Sequence, residues 1–115
     1  MSKHKYFGVL YEVGVYFAAI LITSLFWKNN NLVFFLLGLL WLIAILLWHD
    51  KYDFIAFIIA AVLGPIAEII CIRFGVWSYA NSSLFGIPIW LPLLWGFAVV
   101  MLRRIFETLK LLHIV

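Results

Sequence analysis

An all-α integral membrane protein with four transmembrane helices is the fold class that this sequence predicts, on three observations. Its 115 residues are 68% hydrophobic and 11% charged, whereas soluble domains carry about 25% charged residues. The apolar residues recur as runs along the whole length, each near the ~20 residues that cross a hydrocarbon core. The breaks between runs are short and polar, with no internal repeat and no linker long enough to divide the chain. The expectation is therefore one four-helix domain over 1–115, with spans at about 6–27, 32–48, 54–74 and 88–102.

The first span follows "MSKHK", a start that mimics a secretory signal. The run from Tyr6 to Trp27 is too long for a signal's apolar region, contains Glu12 and ends without a small-x-small cleavage site, so it reads as a retained span. An ionised side chain at bilayer depth costs at least ~2.5 kcal/mol. Glu12 therefore calls for a partner, and an interhelical ion pair with Arg103 or Arg104 is expected. "KNNN" (28–31) breaks the chain before the second span. That span and the fourth are short, so they cross with little tilt or lean on snorkelling ends. "HDKYD" (49–53) sets His49, Asp50 and Asp53 close together, but the spacing matches no metal signature, and a solvated loop is expected.

In the third span Ala56, Ala60 and Gly64 precede Glu68 at four-residue steps. A stripe of small residues lets a neighbouring helix approach and turns Glu68 toward the bundle. Pro65 frees the carbonyl of Ala61, which opens or kinks a helix. Glu68, beside that break, is the candidate catalytic acid, and a salt bridge to Arg73 is the competing role. Cys71 stands alone, so no intramolecular disulfide forms.

The stretch "RFGVWSYANSSLFGIPIWLP" (73–92) separates the third and fourth spans. Gly75 is placed to end one helix and Pro88 to open the next. Trp77, Tyr79, Trp90 and Trp95 gather around Glu68 and, with Arg73, are the candidate ligand-binding residues. An interfacial belt also accounts for Trp77 and Trp90, whereas Trp95 lies deeper. Asn81-Ser82-Ser83 is a glycosylation sequon, meaningful only in a eukaryotic secretory membrane.

Orientation follows from the basic residues. Lys3, Lys5, Lys51, Arg103, Arg104 and Lys110 share one side and Lys28 and Arg73 the other, which puts both termini in the cytoplasm. Trp27, Trp77 and Trp90 then mark the outer interface and Trp48 and Tyr52 the inner one. After Arg103, Ile105, Phe106, Leu109 and Leu112 recur at helical spacing, as in a cytoplasmic amphipathic tail or a continuation of the fourth span. Glu107 is expected to pair with Arg103. The scattered basic residues argue against a nucleic-acid partner, and no phosphate loop, nucleophile elbow or Cys/His cluster is present.

Glu68, then Gly75-Val-Trp77-Ser-Tyr79, then Gly86-Ile-Pro88, Pro92 and Trp95 resembles a segment of membrane carotenoid-biosynthesis proteins, the carotenoid hydratases and small-subunit lycopene cyclase domains. The match covers roughly 64–104. The cyclase domains follow their proline with two glutamates, which Pro88-Ile89-Trp90-Leu91 lacks, and the hydratases are longer. The resemblance implies an isoprenoid or carotenoid ligand held between spans, with a protonated Glu68 donating to a terminal double bond. The rings of Trp77, Tyr79 and Trp95 would face the resulting carbocation, each worth ~0.5–2 kcal/mol. No cofactor or metal is implied. A chain this short would work as a homo-oligomer or with a membrane partner subunit. The alternatives from other classes are a non-catalytic subunit of a larger membrane complex and a dimeric proton-coupled transporter.

Overall fold

In the computed structural model, which describes residues 7–47 and 50–113, four helices follow one another. They are α1 (Phe7–Phe26), α2 (Asn30–Leu47), α3 (Lys51–Arg73) and α4 (Leu91–Leu111). No strand occurs among the described residues apart from one isolated bridge between Leu84 and Ile87. Lys3, Lys5, Trp48 and His49 lie outside the described residues.

The polar breaks became tight joints. In "KNNN", Asn29 closes the end of α1 by donating its N–H to the Phe26 carbonyl at 2.9 Å, and its side-chain oxygen accepts from the Leu32 N–H at 3.1 Å. That is N-cap chemistry, and it starts α2 at Asn30. Of "HDKYD", residues 50–53 form the start of α3 rather than a solvated loop. Asp50 caps α3 by accepting from the Asp53 N–H at 2.9 Å, while the Asp53 carboxylate accepts from the Asp50 N–H at 3.3 Å. This reciprocal capping box satisfies two backbone donors at the helix start and draws Asp53 inward.

Helix α3 continues through Pro65, which sits buried inside it, and so the helix is not opened there. It ends as Gly75 predicts. Gly75 has φ +79°, the Val76 N–H donates to the Cys71 carbonyl at 3.0 Å, and the Gly75 N–H donates to the Ile72 carbonyl at 3.0 Å. These two bonds are a Schellman motif, which places glycine in the left-handed region just past the helix. Pro88 does not open α4. The carbonyls that such a helix would need are committed elsewhere: Ile87 O accepts from the Ser83 and Leu84 N–H groups at 3.0 and 2.9 Å, and Pro92 has no N–H to give to the Pro88 carbonyl. The helix begins at Leu91 and has Pro92 in its first turn, where a missing N–H costs nothing. The amphipathic tail is the second half of α4 rather than a separate element.

Gly8–Phe26 and Lys51–Arg73 are long and apolar enough to cross a membrane, and just 17% and 22% of their apolar windows are buried inside the molecule. The core helix of a soluble protein would be mostly buried. Helix α2 is apolar but shorter, and the second half of α4 carries Arg103, Arg104, Glu107 and Lys110.

Helix α4 touches all three others and packs most extensively on α3. The small-residue stripe explains how. A Cβ on Gly64 would overlap the indole of Trp95, and a Cβ on Gly96 would fall 2.5 Å from the Phe57 ring. Each helix thus offers a glycine notch to an aromatic side chain of the other, and Phe57 meets Phe97 edge-on at 5.6 Å. The remaining contact of α3 with α2 runs through Trp41, whose ring lies 5.9 Å from Phe54 and 5.2 Å from Phe57.

Candidate functional site

The most chemically specific place in the molecule lies where α3, α4, α1 and the 74–90 loop converge. Glu68 projects from α3 one turn beyond Gly64, as the stripe predicts. Its Oε1 accepts from the Tyr79 hydroxyl and its Oε2 accepts from Trp95 Nε1 at 2.5 Å. Both carboxylate oxygens are therefore engaged by donors, one from the loop and one from α4. Among the described residues Glu68 makes no ion pair with Arg73, which points outward and is exposed.

Beside this carboxylate is a cavity of about 270 Å³ lined by Tyr16, Glu68, Tyr79, Leu91, Leu94, Trp95 and Ala98. Trp95 is also a wall of an apolar groove of about 510 Å³ along α3, bounded by Ala56, Ala60, Gly64 and Val99 among others. One indole thus separates a small polar-ended cavity from a longer apolar groove. The cavity suits a ligand whose body is hydrocarbon and whose end can meet a carboxylate.

Of the predicted ligand-binding residues, the fold brings Tyr79 and Trp95 to Glu68 and leaves the rest elsewhere. Trp77 is 44% exposed and does not line the cavity. Trp90 is buried, but its Nε1 donates to Asn30 Oδ1 at 3.0 Å, so it fastens the loop to α2 rather than facing a ligand. The same joint includes Asn30 Nδ2 donating to the Asn81 carbonyl at 2.8 Å and Asn81 Nδ2 donating to the Trp27 carbonyl at 3.0 Å. The sequon's amide is thus already committed. Tyr16 is the site residue that sequence reasoning missed. The signal was its position one turn after Glu12 on α1, on the face that α1 turns inward.

Comparison with family models, with curated proteins and with solved structures finds no match for this chain. The site must be read from its own chemistry. Among the described residues no group of His, Cys, Asp and Glu is arranged to hold a metal.

At the opposite end of the bundle a second polar cluster gathers around Arg103 and Arg104. Arg103 and Arg104 both donate to Asp53, whose carboxylate is fully buried, and Arg104 Nε reaches Asp53 Oδ1 at 3.2 Å. Arg103 also lies 3.6 Å from Asp50 and stacks over the Tyr52 ring at 5.6 Å. Glu12, 1% exposed, is near enough for its charge to act on Arg104, and Asp53 is a carboxylate partner shared by both arginines. Glu107 pairs with Lys110 at 4.0 Å, not with Arg103.

Tyr79 sits in the loop, and its phenol is pushed above its ordinary range by burial first, then by its hydrogen bond to Glu68 and by that group's charge. A folded-state pKa raised above the unfolded value of about 10 gives stability that is intact below pH ~10 and lost as pH rises beyond it. Wild type is therefore expected to lose thermal stability above that pH more steeply than Tyr79→Phe. Parallel alkaline melting curves for the two proteins would remove Tyr79 from this role.

Proposed function

We propose that this chain is a four-span integral membrane protein, with both termini in the cytoplasm, that binds a long apolar lipid of the isoprenoid or carotenoid class at Glu68. The observation that carries this reading is a carboxylate set in a mostly apolar cavity and held between the Tyr79 hydroxyl and the Trp95 indole N–H. A carboxyl at such depth is expensive unless it has a job. The ends of the molecule support the orientation. Residues 27–30 and the 74–90 loop meet at one end, with Lys28 and Arg73, and Asp50, Asp53, Arg103 and Arg104 meet at the other, where four of the described basic residues, Lys51, Arg103, Arg104 and Lys110, lie. That charge bias is the cytoplasmic signature.

Acid-assisted chemistry at Glu68 is the finer form of the proposal. A proton on the free lone pair of either oxygen would leave its hydrogen bond in place and give the carboxyl an O–H to present to the cavity. The rings of Tyr79 and Trp95 would then face a carbocation formed on a polyene end, and water or proton loss would complete the step. Trp77 and Trp90 have no part in this version.

Expression in a host that makes linear carotenoids tests the proposal, with purified protein extracted for bound lipid and membranes extracted for pigment. Wild type is expected to retain an isoprenoid lipid. Glu68→Gln puts an amide N–H₂ where one of the two donors already points and leaves the other donor a neutral oxygen, and loss of a hydrogen bond to a charged group is worth about 1.5–3 kcal/mol, so retention should fall roughly tenfold or more. Altered pigment in wild type alone would establish catalysis. No bound lipid, with identical pigment in both, would sink the reading and leave a non-catalytic subunit.

A further inference from the structure

We propose that the turn Leu84–Ile87 is an interfacial anchor, seated with its Phe85 ring in the headgroup–acyl boundary of the leaflet that the outer end of α3 reaches. The inference rests on the membrane reading of α3 but on none of the Glu68 site. The Leu84 N–H donates to the Ile87 carbonyl at 2.9 Å and the Ile87 N–H to the Leu84 carbonyl at 2.9 Å, which closes a two-residue turn. Its central residues, Phe85 and Gly86, have φ +52° and +90°. That is the pattern of a type I′ turn, whose first central position favours Asn, Asp or Gly. A bulky aromatic residue at positive φ is an outlier, and such strain points to a function for the side chain it displays. Here the displayed ring is 74% exposed at the tip, and Leu84 beside it is also exposed.

What covers this tip follows from its neighbours. The site for a Cβ on Gly86 lies 3.0 Å from Ile72 Cγ2, so the turn packs against the last turn of α3. Along α3, Val62, Ile66, Ile70 and Phe74 are all exposed at four-residue steps, and Phe74 is 83% exposed. Val76 and Trp77, just past Phe74, are exposed as well, so the apolar surface at this end of the molecule includes the end of α3 and the turn that packs on Ile72. Arg73 is exposed at the same level, and Lys28, stacked over Trp27 at 5.7 Å, belongs to the same end of the bundle. Apolar tip residues flanked by cations match a bilayer boundary, with phosphates at the level of the charges. A turn meant for water would present Asn-Gly.

The test is site-directed spin labelling in phosphatidylcholine–phosphatidylglycerol vesicles, on a chain carrying Cys71→Ser. Nitroxides go on Phe85→Cys and, in case that variant does not fold, on Leu84→Cys. Ile66→Cys and Ser82→Cys serve as references. The ratio of oxygen to water-soluble nickel-chelate accessibility is expected to be several-fold higher at the tip than at position 82 and lower than at position 66. If the tip matches position 82 while position 66 reports lipid, the anchor is overturned and the membrane reading stands. If position 66 also reports water, the membrane reading itself has failed. A tip shielded from both reagents means that a second copy or another protein covers it, which also overturns the anchor.

Discussion

Asp53→Ala is expected to destabilise the protein by at least about 3 kcal/mol, because removing one partner from a buried ion cluster leaves the others uncompensated. Asp53 has no exposed surface and takes hydrogen bonds from both Arg103 and Arg104, and it also closes the capping box with Asp50. Without it, Arg103 and Arg104, neighbours on α4, lose the buried carboxylate they share, while Asp50 stays near Arg103 and the charge of Glu12 still acts on Arg104, and one orphan N–H reappears at the start of α3. The arginines are partly open to solvent, which holds the expected loss near the lower end of the range for buried pairs. Thermal unfolding in detergent or vesicles gives the measurement. A variant combining Asp53→Leu with Arg103→Met, Arg104→Met and Glu12→Gln, so that no buried carboxylate is left without a cation, should recover most of the loss, since apolar or neutral side chains of similar volume commonly replace such clusters at little cost. A single Asp53→Ala variant that melts like wild type would show that the cluster contributes nothing.

The second large effect belongs to the glycine notches. Gly64→Ala and Gly96→Ala each place a methyl group inside an aromatic ring of the facing helix, and overpacking of this kind costs about 1–3 kcal/mol. Gly64→Ala should fall at the upper end, because the displaced ring is Trp95, whose N–H is tied to Glu68. The same substitution is expected to break that hydrogen bond and reduce lipid retention, even though Gly64 does not line the Glu68 cavity. Gly96→Ala should lower thermal stability by a similar mechanism through Phe57 but spare lipid retention. Combining Gly64→Ala with Trp95→Leu should restore much of the stability and none of the retention. Equal retention by both single variants would disconnect the notch from the site.

Much of the fold was legible because helices need little information. Apolar runs of the right length, polar breaks and Gly75 placed four helices, with every end within a few residues except that of α4, which runs on from 102 to Leu111 through the amphipathic segment. The inward direction of Glu68 was legible for a related reason, since small residues at four-residue steps mark the face a neighbour can approach. Tyr79 and Trp95 followed as aromatic residues at the same end. What failed depends on long-range partners. Asp53 sits in a polar run that looks solvated, and two arginines fifty residues away decide that it is buried. Trp77 and Trp90 carry similar side chains to Trp95, and sequence cannot tell an indole that holds a loop to Asn30 from one that lines a cavity. Pro88 obeyed a sound local rule and lost to the adjoining turn, which took the Ile87 carbonyl, and to Pro92, which has no N–H for the Pro88 carbonyl.

The central place of α4 has a consequence for how the molecule is made. Synthesis delivers α1, α2 and α3 first, and α1 and α2 can pair at once. Helix α3, however, meets α2 mainly through Trp41 and leans on α4 for most of its packing. Until α4 emerges, the notch at Gly64 is empty, Glu68 lacks its Trp95 donor and Asp53 lacks both arginines. The bundle is therefore completed in one late docking event rather than built up helix by helix, and a chain truncated before Leu91 should leave α3 as a target for membrane quality control.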